Sequence, residues 1–176
     1  MSSSIAKKYV NALVKSCDQD EVVSIYASLG KIVVAFESDK FNTIVLSPDI
    51  DSKSKENFVL SLTEEGGSKF VNFIKLLNHN DRLNEIPNIV KELKYQISLK
   101  NNSFEGEIVS NFKLEKEQIA ILEQNFSKKF NAQIKLNNKI TDYPGIKINL
   151  DDLGVEVSFS LDRLKTQMSE HILRAI

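Results

Sequence analysis

The segment Ile5-Ala6-Lys7-Lys8-Tyr9-Val10-Asn11-Ala12-Leu13 lies near the N-terminus and decides how the first half of the chain folds. At 100° per residue, the apolar side chains of the helix that it opens cover an arc of roughly 200°. These side chains are Ile5, Ala6, Tyr9, Val10, Ala12, Leu13, Val14 and Cys17. A surface helix of a globular protein needs an apolar face of only a little over ~100°. The surplus predicts that a second surface, inside or outside this chain, covers the rest of the helix.

A fifth helix, predicted over residues 68–78, has the same excess, with an apolar arc of roughly 220°. Its apolar side chains are Phe70, Val71, Phe73, Ile74, Leu76 and Leu77. Two such helices side by side would form a groove for an amphipathic helix of a partner. The alternative is that both helices lie at the centre of the bundle and are covered by its other helices.

Helical spacing of apolar residues predicts four further helices in the first hundred residues. One begins at a capping box of Asp18 and Glu21 and carries apolar residues through Phe36. The others cover residues 41–46, 52–64 and 83–99, with Gly66-Gly67 ending the second of these and Pro87 in the first turn of the third. The first half is therefore predicted to be a six-helix bundle.

The pattern changes after Lys100-Asn101-Asn102-Ser103, which carries no apolar residue. Strands are predicted over residues 105–112, 133–140, 146–150 and 155–159, with a hairpin turn at 151–154 and a helix over 115–130. A last helix over residues 161–174 would bury Leu161, Leu164, Met168 and Ile172. The predicted fold class is α+β: an N-terminal six-helix bundle over residues 1–103 and a smaller β-α-β-β-β-α domain over residues 104–176.

Composition is typical of a globular protein and excludes several functional classes. The net charge is −1, with 13 basic and 13 acidic residues through Ser103 and 10 and 11 after it, so neither half is expected to bind nucleic acid. The single cysteine, Cys17, suits a reducing compartment and is predicted to be a small buried hydrophobe. The longest apolar run, residues 32–36, is too short to cross a bilayer, and no signal peptide is apparent. We expect a cytoplasmic protein without direct membrane insertion.

No arrangement of residues predicts catalysis. His79 and His171 lie in different predicted domains, and neither has a cysteine or histidine at metal-ligand spacing. Gly66-Gly67-Ser68-Lys69 lacks the spacing and the preceding strand of a phosphate-binding loop. The closely spaced carboxylates fall in a predicted turn, on a strand's outer face and in a first helical turn, where solvation is expected. We therefore expect neither a catalytic residue nor a cofactor or metal.

Four segments together resemble the delta subunit of bacterial F-type ATP synthases, whose mitochondrial relative is the oligomycin-sensitivity-conferring protein. Tyr9-Val10-Asn11-Ala12-Leu13 is similar to the family's opening Tyr-Ala-x-Ala-Leu, and Ser47-Pro48 followed by Lys53 to its break between helices 3 and 4. Residues 73–83, an apolar run that ends in Arg82-Leu83, resemble its helix-5 signature. Leu114-Glu115-Lys116-Glu117-Gln118 resembles the opening of the helix in its C-terminal domain.

The resemblance implies a non-catalytic stator subunit on the cytoplasmic face of the bacterial inner membrane. In this family the N-terminal bundle binds the N-terminal helix of an alpha subunit between helices 1 and 5, and the C-terminal domain holds the b subunits. The candidate groove residues of this chain are Tyr9, Ala12, Leu13, Phe73, Ile74 and Leu77. The alternatives are a generic helical adaptor, such as a ribosome- or RNA-associated protein, and a small enzyme with an unrecognised cleft.

Overall fold

A computed structural model describes residues 4–63 and 67–160 of the chain. Helices occupy most of the N-terminal half: α1 (Ser4–Ser16), α2 (Gln19–Ala35), α3 (Asp39–Leu46), α4 (Ser52–Ser61), α5 (Ser68–His79), a 3-10 turn (Leu83–Glu85) and α6 (Ile86–Asn101). There follow β1 (Ser103–Ser110), α7 (Lys116–Phe130), β2 (Gln133–Ile140), β3 (Gly145–Leu150), a 3-10 turn (Asp151–Leu153) and β4 (Val155–Ser160). The predicted α+β class is confirmed, while the predicted last helix, residues 161–174, lies outside the described residues.

The chain divides into two compact units, Met1–Ile97 and Ser98–Ile176. The division falls before the end of α6, whereas the sequence places the junction after Ser103, a residue that already belongs to β1. The polar run at residues 100–103 contains both the end of α6 at Asn101 and the start of β1 at Ser103. It therefore marks the change from helix to strand.

Local hydrogen bonds explain where several helices begin and end. The backbone N–H of Glu21 donates to the Asp18 carboxylate (2.9 Å) and the N–H of Asp18 donates to the Glu21 carboxylate (3.0 Å), which confirms the predicted capping box of α2. Helix α4 ends at Ser61 rather than at residue 64. There the N–H groups of Leu62 and Thr63 bond three residues back, which tightens the chain into a turn.

The core of the N-terminal unit is formed by one side of each long helix. Helix α1 buries Ala6, Val10 and Leu13. Other buried positions include Val22, Ile25, Leu29 and Ile32 of α2, Phe70, Ile74 and Leu77 of α5, and Ile86, Ile89 and Leu93 of α6. Helical spacing predicts a stripe of Val22, Tyr26, Leu29, Val33 and Phe36 for this segment. The buried stripe of α2 is displaced from it, since Ile25 and Ile32 are buried whereas Tyr26, Val33 and Phe36 are only partly buried.

The C-terminal unit contains a four-stranded sheet in the order β2-β1-β3-β4. Strands β1 and β2 are parallel and are joined through α7, whereas β1 with β3 and β3 with β4 are antiparallel. The predicted hairpin turn is confirmed at residues 151–154, where Gly154 adopts a positive φ of 64°. Helix α7 covers one face of the sheet, and the core between them contains Ile108, Leu114, Phe126, Ile134, Leu136, Ile148 and Leu150.

Gly106 in β1 permits a close approach within this core. A Cβ atom at this position would overlap the Leu150 side chain and would lie 2.8 Å from the Asn149 carbonyl oxygen and 2.9 Å from Leu136 Cδ2. The neighbouring side chains therefore fill the space that any larger residue would need.

The free edge of β2 is partly closed by α7. Register with β1 directs the N–H groups of Ile134 and Leu136 away from the sheet. The first donates to Ser127 Oγ (3.0 Å) and the second to Glu123 Oε1 (2.8 Å). Two donors that an added strand would need are thereby occupied.

Candidate partner-binding groove

A groove of about 390 Å³ runs between α1 and α5. It is lined by Tyr9, Ala12, Leu13, Ser16, Cys17, Lys69, Asn72, Phe73 and Leu76. Tyr9 contacts Phe73 at one end and Ser16 contacts Lys69 at the other, so the two helices run antiparallel along it. The lining residues run from Tyr9 to Ser16 on α1 and from Lys69 to Leu76 on α5. Each span of seven residues corresponds to about 10 Å, or two helical turns. The groove therefore has the length of a short helix–helix contact.

Apolar side chains form the floor of the groove. Leu13 is buried and Phe73 is only 7% exposed, so both pack mainly against the bundle and present one edge to the groove. The rings of Tyr9 and Phe73 meet edge to face, with centroids 6.3 Å apart and planes at 80°. This pair fixes the wall at one end while Tyr9 remains partly exposed.

The rim of the groove contains small and apolar side chains. Ala12 is exposed on α1, and Leu76 on α5 is 47% exposed. A methyl group at Ala12 allows a close approach of a second backbone, and Leu76 offers apolar area. The enclosed-helix alternative is therefore wrong, because α1 and α5 each keep one apolar side uncovered by the described residues.

The structure corrects two of the six predicted groove residues. Ile74 and Leu77 are fully buried in the bundle core and do not line the groove, whereas Tyr9, Ala12, Leu13 and Phe73 all line it. Sequence reasoning missed Leu76. The signal was present in the polar residues of α5, because Lys69 and Asn72 precede Leu76 at helical spacing and mark the outward side.

Cys17 lies at the groove and is half-buried against the edge of the core. The prediction that Cys17 is a small buried hydrophobe is confirmed only in part. Its side chain packs against the core but is only partly buried. Its position gives the groove a partly exposed thiol in a chain with one cysteine.

A charged cluster closes the end of the groove opposite the aromatic pair. Lys69 Nζ donates to Glu21 Oε2 (2.5 Å) and to the backbone oxygen of Ser16 (3.2 Å). The hydrogen bond from Lys69, with that from the Asp18 N–H, holds the pKa of Glu21 below its usual value. The same bond to Glu21 raises the pKa of Lys69.

A second cavity of about 390 Å³ lies between the end of α3 and the start of α4. It contains Asn78, a buried polar residue whose Nδ2 donates to the oxygen and Oγ of Ser52 (2.7 and 2.8 Å). Those bonds hold the start of α4 against α5, which gives Asn78 a structural role. In residues 4–63 and 67–160, no three histidine, cysteine, aspartate or glutamate side chains gather as a metal site.

Comparison with known proteins identifies the family. Residues 5–168 match the family model of the ATP synthase delta (OSCP) subunit. This chain belongs to that family. Proteins named ATP synthase subunit delta from Campylobacter concisus and Campylobacter fetus are 50% and 49% identical to it over 176 residues, which is the full length of all three chains. The protein of the same name from Aliarcobacter butzleri is 39% identical over the same length.

The fold of this delta-family chain also matches a solved structure. A chain in the cryo-EM structure of the Toxoplasma gondii mitochondrial ATP synthase hexamer aligns with a TM-score of 0.65. The alignment covers 97% of this chain and 98% of that one at 16% identity, so it supports the fold alone. None of the described helices of this delta-family chain is both long and apolar enough to span a membrane.

The C-terminal unit of this family member has an apolar surface of its own. Val157 and Phe159 on β4 are about half exposed, and register places them beside Ile148 and Ile146 of β3. They therefore extend the apolar face that α7 covers over β1 and β2. The sequence predicted a strand over residues 155–159 but not the exposure of these two side chains.

Proposed function

We propose that this chain is a non-catalytic stator subunit of an F-type ATP synthase. The α1–α5 groove binds the N-terminal helix of an alpha subunit, and the C-terminal unit binds the b subunits of the peripheral stalk. The chain thereby joins the catalytic head to the stalk on the cytoplasmic face of the bacterial inner membrane. This link resists the torque of the rotating shaft during proton-driven ATP synthesis.

The observation that carries this proposal is the uncovered apolar groove between α1 and α5. Its floor is rigid, because Leu13 and Phe73 belong to the bundle core, and its rim is open at Ala12 and Leu76. Amphipathic helices bind such grooves through apolar residues spaced at i, i+3, i+4 and i+7. The two-turn length accommodates one such set, which suits the end of a longer chain.

A subunit that transmits force needs contact area more than chemistry. The described residues with a shifted pKa, namely Glu21, Asp51 and Lys69, are at the surface and belong to helix caps or an ion pair. Catalytic acids and bases owe their perturbed pKa values to desolvation in a cleft, which is a different arrangement. The chemistry of the described residues therefore favours a binding subunit over the alternative of a small enzyme.

The assignment of the b subunits to the C-terminal unit is supported by its apolar strand face. Val157 and Phe159 form part of a surface that a partner helix could cover. Strand addition at the start of β2 is disfavoured, because Glu123 and Ser127 already occupy its outward N–H groups. A helix packed on the sheet is therefore the expected mode of contact.

The test is assembly of a ternary complex from the full chain, the alpha-containing head and the soluble part of the b subunits. An Ala12→Arg variant places a long side chain over the groove at an exposed helical position. It should weaken head binding by about tenfold or more, because the close approach is lost. Binding of the b subunits should be unchanged.

The single thiol supplies an independent readout. A synthetic peptide of the alpha N-terminal helix should slow maleimide labelling of Cys17 in the wild-type chain, and the Ala12→Arg variant should lose this protection. Unchanged labelling at saturating peptide, or retention of head binding by Ala12→Arg, would refute the groove assignment. Loss of b binding in an Ala12→Arg variant that keeps its helical circular-dichroism signal would contradict the proposed division of labour.

A further inference from the structure

Lys69 joins three helix ends at one point. It stands in the first turn of α5 and donates to the oxygen of Ser16, the last residue of α1. It also donates to Glu21 in the first turn of α2. Because both acceptors belong to other helices, the lysine connects segments that are 48 and 53 residues distant in sequence.

The acceptor Glu21 is itself fixed in place. Its carboxylate also accepts from the N–H of Asp18 (3.0 Å), while its own N–H donates to the Asp18 side chain (2.9 Å). The carboxylate is therefore held by the capping box of α2 before it meets the ammonium group. The carbonyl of Ser16 lies at the C-terminal end of α1, where the helix dipole favours a cation.

This contact lies at the groove and not on a remote surface. Ser16, Cys17 and Lys69 line the end opposite the Tyr9–Phe73 contact. One end of the groove is thus set by aromatic packing and the other by hydrogen bonds. Both contacts span the gap between α1 and α5.

We infer that Lys69 is a positioning residue of the groove, which holds α1 and α5 at the separation that a bound helix requires. This inference rests on the proposed binding of a helix in the groove. The groups that face the Glu21 carboxylate are Lys69 and Asp18, and Cys17 and Asp18 lie near Lys69. The hydrogen bonds from Lys69 and from the Asp18 N–H favour the Glu21 carboxylate, whereas the Asp18 charge opposes it. Protonation of Glu21 in acid therefore removes the carboxylate partner and leaves only the Ser16 carbonyl.

The experiment measures affinity of the full chain for a labelled synthetic peptide of the alpha N-terminal helix between pH 3.5 and 8. The variants are Lys69→Met, which keeps an apolar stem, Lys69→Arg, Glu21→Gln and the groove control Leu76→Ala. Lys69→Met should bind about two- to fivefold more weakly at neutral pH, as expected for a partly exposed ion pair. Lys69→Arg should restore the affinity, and Glu21→Gln should resemble Lys69→Met.

The pH profile separates positioning from a general loss of stability. The ratio of wild-type to Lys69→Met affinity should be constant above the pKa of Glu21 and should fall toward one as the pH drops through it. A constant ratio over the whole range, or wild-type affinity of Lys69→Met, would overturn the role of Lys69. If Leu76→Ala also binds the peptide with wild-type affinity, the groove assignment fails as well. If only Lys69→Met binds like wild type, the role of Lys69 fails and the groove assignment stands.

Discussion

Replacement of Leu76 by alanine tests the groove without disturbing the core. Leu76 is 47% exposed on α5 and lines the groove, whereas Phe73 is buried and its truncation would also destabilise the bundle. Alanine keeps the helix propensity of the position. The variant therefore changes the surface that a partner would cover and little else.

The expected loss of affinity follows from the exposed part of the side chain. Complete burial of a leucine stabilises by about 1.5–3 kcal/mol. Burial of the 47% that remains exposed would contribute about 0.7–1.4 kcal/mol, which corresponds to a 3- to 10-fold change in Kd. The folding stability of the variant should stay within about 0.5 kcal/mol of wild type.

The assay is a fluorescence titration of the alpha N-terminal helix peptide with the full chain, together with urea unfolding of each variant. Val34→Ala is the matched control, because Val34 is an apolar residue of α2 that is 66% exposed and does not line the groove. Its affinity should equal that of wild type. An unchanged Kd for Leu76→Ala, or an equal loss for both variants, would show that the bound helix does not cover this rim.

Three further predictions concern the stability of the two units. Gly106→Ala should destabilise the C-terminal unit by about 1–3 kcal/mol, because the added Cβ would overlap Leu150. Gly30→Ala should stabilise the N-terminal unit by about 0.5–1 kcal/mol, because open space surrounds this position in α2. Denaturant unfolding of both variants checks the opposite signs. Hydrogen bonds from the Ser54 side chain and N–H lower the pKa of Asp51, so the stability that it contributes is present above its ordinary pKa of 3.8 and is lost as the pH falls through the lowered folded value. The difference in unfolding free energy between wild type and Asp51→Asn should therefore shrink in acid, and a pH-independent difference would contradict the role of the charged cap. Glu123→Ala should speed hydrogen exchange of the Leu136 amide, because this amide donates to the Glu123 carboxylate. Glu123→Gln should largely preserve the protection of the Leu136 amide, because the side-chain amide oxygen still accepts. Equal exchange in both variants would show that the bond does not protect the edge of β2.

Local signals predicted most of the secondary structure. The bounds of β2 agree with the expected 133–140, and the capping box of Asp18 and Glu21 starts α2 where expected. Such features depend on residues within one or two turns of each other, so they can be read along the chain. The end of α4 was misjudged because Ser61, Leu62 and Thr63 form a tighter turn that carries no glycine or proline to mark it.

The groove was predicted in outline and misassigned in detail. Apolar arcs on α1 and α5 indicated surplus surface, but they did not say which part of each arc the bundle would cover. Tertiary packing placed Ile74 and Leu77 inside and left Leu76 at the rim. Neighbouring helices decide this, since a side chain is buried only relative to what packs against it.

The sequence by itself determined the order of helices and strands, the α+β class and the family, because periodicity, capping and family motifs are properties of short segments. Only the tertiary structure decided the strand order β2-β1-β3-β4, the close packing around Gly106 and the contact of Lys69 with Glu21. These features join residues that are remote along the chain, and their free energy depends on distances that exist only once the elements have packed together.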